Sequence, residues 1–272
     1  MLIPMPTPIP PLVRRRERWL KLAVAVMALL ALFGPALMQP AHYHDFADQR
    51  VWCGVPHAVD VLSNLPFALW GAAGLWALIR ALRLRAIGSV SAGLVALFFA
   101  GLMVTAGVSG YHHWQPDDAG LVWDRAGMVL AFAGLLGLAA VRSVSPRAGI
   151  ALAAAVLALG LTSVVVWAVS GNLLPWVVLQ GGGMVLIAGA AWLRPVSESG
   201  LRIRWALVIG FYVLAKVLEL ADHPVFELTG EFVSGHSLKH IVASFAAWPV
   251  LTAINAAVAA ARQRPESSAK SA

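Results

Sequence analysis

Charged side chains are scarce in this sequence: they make up 12% of its 272 residues, against 60% hydrophobic, and the mean hydropathy is +0.77. So little charge excludes an ordinary soluble domain of this length and makes lipid the solvent for most of the chain. Cysteine is limited to Cys53, which excludes an internal disulfide and any cysteine-based zinc knuckle and says little about redox compartment. Barrel-like alternation is missing too, and open sheet edges cannot be satisfied in lipid, so the spans read as helices. No internal repeat is evident. The net charge of +7 and pI of 10.3 would suit a nucleic-acid partner, but the basic residues sit between apolar segments. There they set topology rather than form a nucleic-acid patch.

A membrane helix needs roughly 20 mostly apolar residues. Eight stretches qualify: 19–38, 62–81, 88–110, 121–141, 148–169, 173–193, 203–221 and 236–261. The ends, Pro-rich 4–11 and the tail from Gln263, read as disorder. Sixteen basic residues, from the Arg14–Lys21 group through Arg80, Arg142 and Arg194 to Lys270, fall on one side of this map, whereas the opposite loops carry Arg50 alone. The positive-inside rule then puts both termini in the cytoplasm. The first span follows a basic stretch, as a signal peptide would, but its apolar run is long and no small-x-small cleavage site follows it. It is expected to be a retained anchor.

All eight histidines fall on the non-cytoplasmic side, as do most of the acids. A wet loop layer accounts for the loop acids but not for ionisable groups on the spans themselves, where they are costly. The third span ends in Ser109-Gly110-Tyr111-His112-His113, with Ser109 and His113 stacked on one helical face. Asp124 and Arg125 lie just inside the fourth span. The eighth opens with His236-Ser237-Leu238-Lys239-His240, a pair of imidazoles at i and i+4 that can reach one metal from one side. Blander readings exist for each: an interfacial histidine is usually just hydrogen-bonded, Asp124 could pair with Arg125 or cap its helix, and Ser109 could be a small packing residue. Three imidazoles without a thiolate suit a catalytic Zn²⁺ with one position left to water. Oxygen-seeking Ca²⁺ and Mg²⁺ fit less well, while imidazole ligation leaves copper and iron open.

Ser109-x-x-x-His113, then Asp124, then His236-x-x-x-His240 in the last span, resembles the pattern of the alkaline ceramidases and of the wider CREST superfamily of membrane hydrolases. That superfamily includes progestin and adiponectin receptors and GPI-remodelling proteins. Asp60-Val61-Leu62-Ser63-Asn64 resembles the Ser-Asn segment that opens the ceramidase core, and Trp52-Cys53 a Trp-Cys pair ahead of it. The likeness covers roughly residues 45–260. It implies an all-α polytopic fold with a seven-helix core at 39–261. An extra N-terminal helix at 19–38 precedes it, and residues 1–18 and 262–272 are disordered cytoplasmic ends.

The resemblance further implies that His113, His236 and His240 hold Zn²⁺, with Asp124 and Ser109 acting on the water and the oxyanion. The expected reaction is hydrolysis of the amide of ceramide or a similar N-acyl lipid. A lipid ester hydrolase and a receptor-like zinc protein are the alternatives. A metal transporter is disfavoured, because no liganding groups lie in the cytoplasmic half. Where eukaryotic ceramidases bind Ca²⁺ this chain has Val51, Gly54, Pro56 and His57. Asp45, Asp48 and Asp60 could substitute, but a Ca²⁺ site of that kind is expected to be absent. The basic N-terminus and short loops look prokaryotic, which implies a bacterial inner membrane with the site toward the periplasm. Lys216, Glu219 and Asp222 are expected on one polar face of the seventh span, either as a packing ion pair or orienting the site, with Arg125 and Lys239 as candidate members of the network.

Overall fold

A computed structural model describes residues 10–196 and 201–263. The helices are α1 (Pro11–Phe33), α2 (Ala58–Leu62), α3 (Leu65–Arg83), α4 (Ser89–Trp114), α5 (Asp118–Ser143), α6 (Pro146–Ser170), α7 (Leu174–Trp192), α8 (Trp205–Leu220), α9 (Asp222–Leu228), α10 (Gly235–Ser244) and α11 (Trp248–Arg262). The chain is an all-α polytopic membrane protein. Six helical stretches are long and apolar enough to cross a membrane: Ala58–Arg83, Ser89–Trp114, Asp118–Ser143, Pro146–Ser170, Leu174–Trp192 and Gly235–Arg262.

The other two expected spans are helices in the expected places, but they fall short of that standard. The N-terminal turns of α1 carry Arg14 to Arg16, Arg18 and Lys21. The 16 residues of α8 span about 24 Å, less than the roughly 30 Å hydrocarbon layer.

Several boundaries differ from the sequence reading, and the first helix ends at Phe33 rather than at residue 38 because Gly34 takes an extended conformation. Helix begins at Pro11, so residues 11–18, expected to be disordered, belong to α1. Proline is pre-set for the first helical turn, and the Leu, Arg and Glu that follow are good helix formers. Arg262 likewise still belongs to α11, while residues 1–9 and 264–272 of the expected disordered ends lie outside the described residues. The last span is not one α-helix: a 3₁₀ turn at Phe245–Ala247 separates α10 from α11. Pro249 explains the break, since it cannot donate to the carbonyl four residues back and its ring crowds that carbonyl.

Caps place the ends that carry the site. Asp117 accepts from the Gly120 N–H at 2.6 Å to start α5, and Ser234 accepts from the Ser237 N–H at 2.9 Å to start α10. Helix α5 lies at the centre, flanked by α4 and α6. Its approach to α4 is backbone-to-backbone: a Cβ at Gly101 would meet the Ala131 nitrogen at 2.5 Å, and one at Gly134 the Phe98 nitrogen at 2.5 Å. Small residues permit such contact where lipid offers no hydrophobic drive between helices. Helix α1 stands at the edge, against α7. At the end of the bundle away from the histidines, Arg16 donates to the Ser143 and Arg194 carbonyls, and Arg142 to those of Ala190 and Leu193.

Candidate metal centre

His113 at the end of α4 meets His236 and His240 from the first turns of α10, and all three are buried. Their Nε2 atoms face one another, His113 to His240 at 3.2 Å and His113 to His236 at 3.3 Å. Nitrogens coordinating a tetrahedral ion at 2.0–2.1 Å stand about 3.3 Å apart, so His113 stands at ligand spacing from each of the other two, and all three ligand atoms lie within 4.8 Å of one another. Among the described residues this is the one group of three or more histidines, cysteines or acids close enough to hold a metal ion.

The surroundings prepare the rings for that role. Ser63 donates its proton to the Asp60 carbonyl at 2.7 Å and lies 2.7 Å from His240 Nδ1. With its proton committed, the hydroxyl accepts from Nδ1–H, which leaves the Nε2 lone pair of His240 free to face the cluster. The Asp60 carboxylate in turn accepts from Ser237 at 2.5 Å and Ser234 at 3.2 Å, tying α2 to the start of α10. Phe46, from the loop before α2, packs against His113 and His236 at ring separations of 4.7 and 4.5 Å.

Ser109 and Asp124 come to the same place. Both line one cavity together with His240, and the Ser109 hydroxyl lies within interaction range of the Asp124 carboxyl. Asp124 neither caps its helix, a role Asp117 fills, nor forms an ion pair with Arg125 within 4.0 Å. Its Oδ1 is buried without a hydrogen-bond partner among the described residues. A buried acceptor left open is costly, and here it borders the cavity.

That cavity, of about 180 Å³, is bounded mostly by apolar side chains. One ordered water needs only about 10–15 Å³, so the space suits a ligand. It reaches from Asp124 to Leu136 along α5 and from Glu219 to Val208 along α8, about 18 Å of helix.

The polar face expected on α8 is divided in two. Lys216 pairs with Glu219 at 2.5 Å, and Lys239 joins from α10, with Nζ 3.5 Å from Glu219 and 2.8 Å from His236 Nε2. Asp222 is not part of that chain, because α8 ends at Leu220 and α9 sets off anew. Its carboxylate instead accepts from the backbone N–H groups of His236 at 2.7 Å and Ala47 at 3.0 Å. Arg125 is also separate, donating through Nη2 to Gln39 at 2.8 Å.

Of the acids considered for calcium, Asp48 is held by both Nε and Nη2 of Arg50 at 2.8 and 2.6 Å, Asp60 by the two serines, and Asp45 by Gln49 at 3.2 Å. No protein-family model matches the chain, and no curated protein matches it.

Proposed function

We propose that the chain is a zinc-dependent membrane hydrolase that cleaves the amide of ceramide or a similar N-acyl lipid, with His113, His236 and His240 as the metal ligands. The observation that carries this reading is the meeting of three buried imidazoles with Ser109 and Asp124 at the head of a long apolar cavity. The Ser109/His113/Asp124/His236/His240 pattern shared with the alkaline ceramidases points the same way. Held by His113, His236 and His240, Zn²⁺ would supply Lewis acidity toward water and an acyl carbonyl at neutral pH.

The protein's own residues do the rest. Asp124 takes the proton of the attacking water at its open Oδ1 as the water oxygen bonds the acyl carbon. It returns that proton to the amine nitrogen as the C–N bond breaks. Ser109 donates to the oxygen on which negative charge develops, an interaction worth roughly 3 kcal/mol where it exists only in the transition state. The apolar walls between α4, α5, α7 and α8 hold the acyl chain and keep water from the reacting carbonyl. The distribution of basic residues supports a site that faces the periplasm of a bacterial inner membrane, where a lipid can enter from the outer leaflet.

The test is incubation of the purified protein with a panel of N-acyl and O-acyl lipids, with and without chelator, alongside metal analysis. The expected result is about one zinc per chain and amide hydrolysis that chelation stops. Asp124→Asn should lower turnover by at least ~100-fold in a protein that still binds metal. Full activity in that variant would overturn the assignment.

A further inference from the structure

Arg125 is the largest side chain in the fully buried set, only 2% exposed, and it lines the same cavity as Ser109 and Asp124. Its guanidinium is held in an aromatic box, with its carbon 4.1 Å from the ring centre of Trp167, 5.4 Å from Tyr43 and 5.8 Å from Trp176. Nη2 reaches Gln39 and the Tyr43 side chain lies within interaction range, but Nε and Nη1 have no hydrogen-bond partner among the described residues. Two unused donors on a buried cation, fixed in orientation and beside a cavity, are free to take an anionic oxygen of a carboxylate or phosphate as partner. The charges around the cavity agree: Arg125, Lys216 and Lys239 stand against Asp124 and Glu219, and both lysines already share Glu219. Cations therefore outnumber carboxylates by one along the cavity, with Asp118 acting on Arg125 from outside it.

We propose that Arg125 recognises an anionic group on the lipid. The substrate is then an N-acyl lipid with a carboxylate or phosphate next to the scissile amide, rather than a neutral one. This rests on the hydrolase reading and narrows it. Arg125 contributes to specificity by binding, not by chemistry, and the aromatic box spares it the need for a protein carboxylate of its own.

The test is equilibrium binding to the metal-loaded full-length chain in neutral detergent. Three ligands with an ether in place of the scissile amide are compared: 2-dodecyloxyethanol, dodecyloxyacetate and 2-dodecyloxyethyl phosphate. At least one anion should bind ten times or more tightly than the alcohol, and the better of the two identifies the head group. In Arg125→Gln that preference should fall to about one, and Arg125→Lys should restore part of it. A purely structural Arg125 would weaken all three ligands alike, which overturns the proposal. Equal binding of all three by the unaltered protein overturns it without any variant. Anion preference in a protein that hydrolyses nothing would remove the hydrolase reading alone, whereas hydrolysis without anion preference would remove this inference alone.

Discussion

The Asp222 carboxylate accepts from the backbone N–H of His236 through one oxygen and from that of Ala47 through the other. One side chain thereby holds the first turn of α10 and the loop that places Phe46 over the histidines. Replacing Asp222 with alanine leaves two N–H groups without their charged acceptor, at a cost of about 1.5–3 kcal/mol for each hydrogen bond of this kind. Zinc affinity should fall at least tenfold, and Asp222→Asn, which keeps one acceptor, should lose less. Metal titration of the purified variants checks both.

Ser63 should matter for metal affinity without touching the metal. Ser63→Ala removes the acceptor for His240 Nδ1–H, freeing the ring to adopt the other tautomer. Loss of such an outer contact typically costs 10–100-fold in affinity. Ser63→Thr keeps the hydroxyl and should retain most of it. Equal affinity in all three proteins would show that the ring is fixed by packing alone.

Lys239 acts in the opposite direction. Its ammonium lies 2.8 Å from His236 Nε2, where it competes for the lone pair that a metal needs and adds like charge beside the ion. Lys239→Met should therefore bind zinc more tightly, by about tenfold if the competition is worth about 1.4 kcal/mol. Weaker binding would instead assign Lys239 a supporting role through Glu219.

Acid should loosen the loop that covers the site. Burial pushes the Asp48 carboxyl up, but hydrogen bonds and charge from Arg50 outweigh it and hold the group below the usual carboxylate range. A carboxyl lowered in the folded state adds stability that is fully present above its unfolded value, about 3.9, and is lost as pH falls through the folded value. Arg50→Gln removes that protection. Its acid unfolding midpoint, followed by circular dichroism, should lie at higher pH than that of the unaltered protein.

Much of this was legible in the sequence because the membrane imposes simple rules. Apolar length placed a helix at each of the eight expected spans, and the His-x-x-x-His spacing with His113 at the matching depth identified the cluster. What stayed hidden depends on contacts between distant segments. The box around Arg125 draws Tyr43 from a loop, Trp167 from α6 and Trp176 from α7, so no local pattern announces it. Asp222 looked like the continuation of a helical face through Lys216 and Glu219, but α8 ends between them, which turns its carboxylate toward His236. Pro249 did carry a local signal for the broken last helix, and the long apolar run around it masked that signal.

The close contact of α4 and α5 at Gly101 and Gly134 has a bearing on how such a protein can evolve. Ser109 and His113 ride on one of these helices and Asp124 on the other. Side-chain packing tolerates drift, but backbone contact acts as a ratchet whose teeth admit one alignment. A single methyl at either glycine would shift the serine and histidine against the aspartate without altering any of them. The two glycines therefore constrain the geometry of the candidate site as much as its own residues do, although they lie two turns or more deeper in the bilayer.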